Sequence, residues 1–377
     1  MVSLLRALPC KTMFNNTLLD TVETAVHQFP ERVLDKAFFF HDVRVICQTN
    51  HPAILAILDE MLGIFPEPAK LQGEVTYTIL CYESSAHFSL QLPASRKRTE
   101  TVRLLTNTKL KYYQDLASMT EYQSYEALQP VKGTVLTAIS QSRNVVLTQL
   151  EMPNLYQAAF LRRYVFLLAL GRIMGRFGFE PSHAAAITAP GDSEQGALII
   201  GESGSGKTTL SLACASMGCG FLGDDLVMVR KGVVDGTISA YAITHEFSVR
   251  SSSLDLWDTL NFLHSYPVDL RDKRYCSIEQ LRSGVSRLHT PIRLLLFPSL
   301  TTATQSVVTR MSKANALQQL IDKSMGTTNR NSQAQAKFFL LLSQLAEQAP
   351  GYHLTIAQSA NDGPQIVLSL FTGGHND

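Results

Sequence analysis

The eight residues Gly201-Glu202-Ser203-Gly204-Ser205-Gly206-Lys207-Thr208 satisfy the pattern G-x-x-x-x-G-K-[ST] at every fixed position, and no other stretch of the 377 residues restricts folding so tightly. The apolar run Ala197–Ile200 precedes it with strand character. Thr209 to Met217 follows with helical character and stops at Gly218. The spacing therefore predicts strand, glycine-rich loop and helix in that order. Such a loop lets successive backbone N–H groups and the helix N-terminus converge on one anion. The expectation is a nucleotide site built from Gly201 to Thr209, in which Lys207 reaches the outer phosphates and the Thr208 hydroxyl ligates magnesium. ATP and Mg2+ are the cofactors this implies.

Composition removes several function classes. A hydrophobic share of 45% and a charged share of 17% are those of a globular protein, and the length allows two or three domains. A net charge of +1 gives no broad basic footprint, so nucleic acid is not an expected partner. The six cysteines form no C-x-x-C pair and no zinc-spaced set, which fits reduced thiols and a cytoplasmic protein. Arg6 interrupts the apolar run of Met1 to Cys10, which is not expected to be a signal peptide. The most apolar segment, Tyr164 to Gly171, is bracketed by Arg162, Arg163 and Arg172 and is far short of the ~20 residues of a membrane span, so no membrane partner is expected either.

Residues 1–150 read as an α+β domain of unknown role. It has a helix near Leu18 to Gln28, a hairpin over Ala37 to Cys47 and a helix over His51 to Phe65. Strands are expected at Val75 to Cys81, His87 to Leu92 and Val102 to Tyr113, with a further hairpin over Val135 to Leu150. Residues 151–377 read as an α/β domain with a mixed sheet around the glycine-rich loop. It opens on a helical stretch, Asn154 to Phe177, whose Arg162, Arg163, Arg172 and Arg176 are expected to be solvated or paired with carboxylates on neighbouring elements. Later strands are expected at Ile238 to Ile243, Ile292 to Phe297, Tyr352 to Ile356 and Ile366 to Phe371, with helices over Lys313 to Ser324 and Ala334 to Ala349. Residues 245–290 show no clear periodicity.

The reaction depends on what faces the terminal phosphate. Asp224 and Asp225 follow Lys207 after only one helix and a turn, and apolar residues flank them on both sides. A buried acidic pair is costly unless it meets a cation, which magnesium bound with ATP supplies. Neighbouring residues on a strand face opposite ways, so the two carboxylates are expected to differ in role. If one takes a proton from a hydroxyl, the reaction is phosphoryl transfer to an alcohol; if both serve only magnesium, water is the acceptor.

This combination resembles the catalytic domain of the HPr kinase/phosphorylase family and its related kinases over roughly residues 155–300. The shared features are the loop Gly201 to Thr208, the segment Met217 to Asp225 ending in the Asp pair, and Ser182-His183-Ala184 ahead of the loop. The resemblance implies a P-loop kinase domain in which Asp224 is the general base, Asp225 supports magnesium with Thr208, and His183 lies near the phosphates. It also implies a serine-bearing protein, peptide or small molecule as acceptor, and a homo-oligomer. The family's Glu-Ile-Arg-Gly signature is replaced by Thr244 to Arg250, which offers Glu246 and Arg250 in its place, so reverse phosphorolysis and HPr itself are not carried over. Asp272-Lys273-Arg274 reads as a solvated loop, with a cation for the nucleotide as the alternative. Two other readings stand beside the kinase: a P-loop ATPase, for which no Leu-Ser-Gly-Gly signature is present, and a nucleotide-binding regulatory protein without an acceptor.

Overall fold

The near-continuous apolar runs of Ala184–Ala189 and of the second half of Asp192–Ile200 organise the larger unit of the protein, because side chains at successive strand positions point to opposite faces and both faces are buried. A computed structural model describes residues 17–27, 33–92, 97–105, 108–115, 120–127, 133–254, 258–269, 272–324, 332–357 and 362–373. Met1 to Cys10 lies outside the described residues. The fold is mixed α/β, and the chain divides into two compact units: Met1–Ala37, Val45–Ala56 and Glu74–Leu161 form one, and Phe38–Arg44, Ile57–Gly73 and Arg162–Asp377 the other.

In chain order the first elements are α1 (Thr17–His27), β1 (Leu34–Phe40), β2 (Val43–Thr49), α2 (Pro52–Leu62), β3 (Gly73–Tyr82), β4 (Lys97–Leu105), β5 (Thr108–Asp115), β6 (Thr120–Ala127), β7 (Val135–Ser140) and β8 (Val145–Glu151). The strands form one sheet in the order β1-β2-β3-β8-β7-β6-β5-β4, with β3 and β8 parallel. Leu18, Val22 and Ala25 of α1 pack on Leu80, Leu136, Ala138 and Leu147, an apolar stripe meeting the alternate positions of three strands.

Two expectations for this region change, and one strand is added. Val102 to Tyr113 is not one strand: β4 and β5 pair antiparallel, Leu105 opposite Thr108. The strand β6 had no expectation, because Thr120–Ala127 is mostly polar, with Tyr122 and Tyr125 as its buried aromatics. His87 to Leu92 is not a strand. The buried Gln149 side chain accepts from Leu90 N (2.7 Å) and donates to Ser89 Oγ (2.7 Å), so a side chain takes the place of a pairing strand.

The remaining elements are α3 (Ala158–Phe160), a π-helical turn Leu161–Phe166, α4 (Leu167–Met174), β9 (Glu180–Ser182), β10 (Ala184–Ala189), β11 (Asp192–Ile200), α5 (Lys207–Ser216), β12 (Gly220–Gly223), β13 (Val227–Lys231), β14 (Ile238–Tyr241), β15 (Glu246–Arg250), α6 (Ser251–Leu254), β16 (Lys273–Ser277), α7 (Ile278–Leu281), β17 (His289–Thr301), β18 (Val307–Arg310), α8 (Lys313–Ser324), α9 (Ser332–Gln348), β19 (Gly351–Ala357) and α10 (Gly363–Phe371). A sheet runs β12-β10-β11-β17-β14-β13-β9, and β19 also pairs with β17 and carries β18. One face buries Ala186, Leu198, Ile200, Leu295 and Phe297 under α8 and α9; the other buries Ala185, Ala197, Ile199, Leu294 and Leu296 under α5 and α10. This is a layered arrangement of helices on both faces of a mixed sheet.

Ile366 to Phe371, expected as a strand, is the end of α10. Pro364 occupies the first helical turn, and Gly363, Val367 and Leu370, at helical spacing, are the buried positions. The poorly periodic residues 245–290 contain the two-stranded ribbon β15–β16. Its apolar side, Phe247, Val249 and Cys276, packs with Leu254, Leu260 and Leu263 against Leu212 and Ala215 of α5.

Candidate functional site

Strand directions explain how distant residues converge. β10 is antiparallel to both β11 and β12, so β11 and β12 run the same way. The glycine-rich loop leaves the C-terminal end of β11, Asp224 and Asp225 leave the C-terminal end of β12, and His183 precedes the first residue of β10. All three therefore reach one edge of the sheet, the edge at which open α/β sheets present their ligand sites.

The loop turns sharply into α5. Gly206 has φ 97° and caps the helix, and Gly201 leaves no room for a Cβ, which would lie 2.4 Å from Ser205 Oγ. Lys207 is buried and donates to the carbonyl oxygens of Gly201 (2.7 Å) and Glu202 (2.9 Å). Burial holds its pKa below the ordinary lysine value, opposed by the charges of Asp225 and Asp224. Glu202 is exposed and pairs with Lys323 of α8. Ser203, Gly204, Gly206, Lys207, Thr208 and Thr209 line a cavity of about 280 Å3 together with His183, Asp224 and Asp225.

The two carboxylates have different surroundings, as their places after a strand require. Asp224 is buried and accepts from Thr208 Oγ1 (3.2 Å) and from the Ser248 backbone N–H (3.1 Å) and hydroxyl (3.4 Å). Burial, then the neighbouring Asp225 charge, pushes its pKa up to about 6. Asp225 is half-buried. It pairs with Arg163 Nη2 (3.0 Å) and Lys273 Nζ (3.4 Å), and His183 Nδ1 stands 3.3 Å from its Oδ1. Burial alone would raise Asp225, but Lys273, Arg163 and His183 together hold it well below the usual carboxylate range. Burial lowers His183 against the pull of Asp225, which keeps the imidazole neutral at neutral pH.

The structure brings the loop, Asp224, Asp225 and His183 together, and it adds residues that sequence reasoning left outside the site. Arg163 does pair with a carboxylate on a neighbouring element, and that carboxylate is Asp225. Its guanidinium also lies over the Tyr275 ring, 4.4 Å from the centroid. Ser248 links the pair: its hydroxyl accepts from Lys273 Nζ (3.1 Å) and donates to Asp224. Lys273 and Arg250 line the cavity, whereas Glu246 lies 3.4 Å from Arg162. Lys273 and Arg250 stand out in the sequence as charged residues, whereas Ser248 leaves no signal there.

The donor set suits a hard cation: the Thr208 hydroxyl and two carboxylates are oxygen ligands. Among the described residues no cluster of three or more His, Cys, Asp or Glu side chains is placed to hold a metal, so magnesium here would share its ligands with nucleotide phosphates. Among the described residues no helix is long and apolar enough to cross a membrane.

No family model matches the chain, and no curated protein does. Among solved structures, the HPr(Ser) kinase/phosphatase from Coxiella burnetii is similar to it over 52% of this chain and 90% of that one, with 13% sequence identity and a TM-score of 0.29.

Proposed function

We propose that this protein is an ATP- and magnesium-dependent kinase that transfers the γ-phosphate to a hydroxyl, with Asp224 as general base. The observation that carries the reading is the position of Asp224: a buried carboxylate, raised to about 6, joined to the P-loop Thr208 hydroxyl and lining the cavity with Lys207. A carboxylate tuned toward neutrality accepts and holds a proton more readily than an ordinary aspartate.

In the proposed reaction the acceptor O–H gives its proton to Asp224 as its oxygen bonds to the γ-phosphorus. The bond from that phosphorus to the β,γ-bridging oxygen breaks, and the electron pair leaves on ADP. Thr208 donates a hydrogen bond to Asp224, which leaves its oxygen lone pairs free for a cation; Thr208 and Asp225 would hold magnesium. The bound metal would neutralise charge on the phosphate oxygens. Lys207 offers positive charge to the outer phosphates, and His183, neutral and beside Asp225, stands where it can donate to a phosphate oxygen. A serine-bearing protein, peptide or small molecule is the acceptor class we propose, and the protein is proposed to act in the cytoplasm, with a homo-oligomer as its assembly.

The test is a transfer assay with γ-labelled ATP and magnesium, offering HPr, free serine and a cell extract in parallel. Label on an acceptor, lost in Asp224→Asn, is the expected result. Release of free phosphate with no labelled acceptor in any mixture would replace the kinase with an ATPase.

A further inference from the structure

Opposite the P-loop the cavity is walled by the β15–β16 ribbon, which belongs to no phosphate-binding motif. Its antiparallel register places Ser248 opposite Tyr275 and Arg250 opposite Lys273. Ser248, Arg250 and Lys273 all line the cavity that Lys207 lines from the other side. Two cations on one rung repel each other unless an anion lies between them. Among the described residues Arg250 has no carboxylate within ion-pair distance, and Lys273 has only Asp225, at 3.4 Å.

Asp225 does not depend on that contact. Its Oδ2 is held more closely, at 3.0 Å, by Arg163, which does not line the cavity and is fixed against the Tyr275 ring. Tyr275 in turn donates to Asp269 Oδ2 at 2.6 Å, and Asp269 Oδ1 accepts from the Lys273 backbone N–H at 2.8 Å, which pins the start of β16. Lys273 thus has a rigid backbone and a terminal ammonium on the longer of two contacts to a carboxylate that another cation already secures. The charges of Lys207 and Lys273 act on each other and both act on His183, so the two lysines face one small volume from opposite walls.

We propose that Lys273 reads the terminal phosphate. A nucleoside triphosphate seated on the P-loop draws the ammonium away from Asp225, while Arg163 keeps Asp225 in place, so that the site prefers a triphosphate to a diphosphate. This rests on the reading of the cavity as a nucleotide site.

The test is titration calorimetry of the full chain with AMPPNP and with ADP, each in magnesium buffer. The wild type is expected to bind AMPPNP about tenfold or more tightly than ADP, the size of a charge-assisted contact to one phosphate. Lys273→Met should bring that ratio close to one while the ADP affinity moves no more than about twofold, and Lys273→Arg should keep most of the preference. Retained ADP binding shows that a variant is folded. Should Lys273→Met fail to fold, Lys273→Gln, which can still bond Ser248, takes its place. Equal loss of both nucleotides, or an unchanged ratio, would overturn the role of Lys273 alone. A wild type that binds neither nucleotide would instead remove the nucleotide site itself.

Discussion

Thr208 and Asp224, 16 residues apart in sequence, meet through one 3.2 Å hydrogen bond in which the threonine hydroxyl donates to Oδ2. The bond ties the first turn of α5 to the end of β12, so the glycine-rich loop and the carboxylate pair keep a fixed spacing. Ser248 approaches the same oxygen from the ribbon. Three separate elements thus converge on one atom of a buried side chain.

The tuned carboxylate gives transfer a pH dependence with a definite sign. Asp224 must be ionised to act as base, and its pKa is raised to about 6, so the rate should climb as pH rises toward 7 and level off above. Asp224→Asn should lower transfer by about 10²- to 10⁴-fold with nucleotide affinity retained. A rate that is flat between pH 5 and 7 would show that another group takes the proton.

Gly206 sits at φ 97°, and a Cβ there would meet Leu300 Cδ2 at 3.0 Å. Gly206→Ala should cost about 1–2 kcal/mol for the left-handed backbone alone, and more where Leu300 cannot yield, with nucleotide binding falling in parallel. Gly191→Ala is the control: φ is 75° but no atom lies within 4 Å, so only the backbone cost applies. Equal melting temperatures for the two variants would show that the Leu300 contact is irrelevant.

Arg163 is the nearest cation to Asp225, and removing one partner of a largely desolvated pair leaves the other charge uncompensated. Arg163→Met should destabilise the fold by about 2–3 kcal/mol, less than a fully buried pair would give because the side chain keeps 21% exposure. Adding Asp225→Asn should recover part of that loss, and urea unfolding of both single variants and the double variant measures the coupling. Strictly additive effects would mean that the pair contributes nothing as a pair.

His41 provides a separate acid-sensitive element. Its Nε2 lies 2.9 Å from the Ala242 carbonyl oxygen and its ring stacks on Phe179, and burial lowers its pKa from 6.5 to about 4. The native state holds the neutral ring, whereas the unfolded chain protonates below 6.5. Stability from this residue is therefore complete above pH 6.5 and is lost progressively as pH falls toward 4, by about 3 kcal/mol in all. His41→Asn, which tolerates the native φ of 54°, should flatten the dependence over that interval. Unfolding curves at pH 4.5 and 7 decide; an unchanged slope would place the sensitivity elsewhere.

The half of the candidate site built on the glycine-rich loop was legible because its residues are local. Gly201 to Thr208 and the Asp pair are runs of consecutive residues whose types leave few alternatives, and the strands that bring them together carry continuous apolar runs. The opposite wall was legible only in part: Arg250 and Lys273 stood out as cations, but not their pairing on one ribbon or the place of Ser248 beside them. Lys273 reaches Asp225 only because β16 pairs with β15 across 22 intervening residues of mixed character, with a turn through Asp272 at φ 58°. Arg163 sits in a π-helical turn, where the usual helical spacing no longer tells which face a side chain takes. Ile366 to Phe371 misled for a simpler reason: six residues that are apolar at every position but Ser369 fit a buried strand and a short buried helix equally well, and only Pro364 ahead of them favoured the helix.

The self-directed bonds of Lys207 have a consequence for selectivity. With its ammonium held by two carbonyl oxygens of its own loop, Lys207 does not present a bare charge to the solution. A small anion gains nothing by displacing those bonds unless it offers the lysine at least as much in return. A ligand with several phosphate oxygens, meeting the loop amides and the ammonium together, can do so. On the proposed reading of the loop as a phosphate cradle, those two bonds would set a threshold by valency ahead of shape.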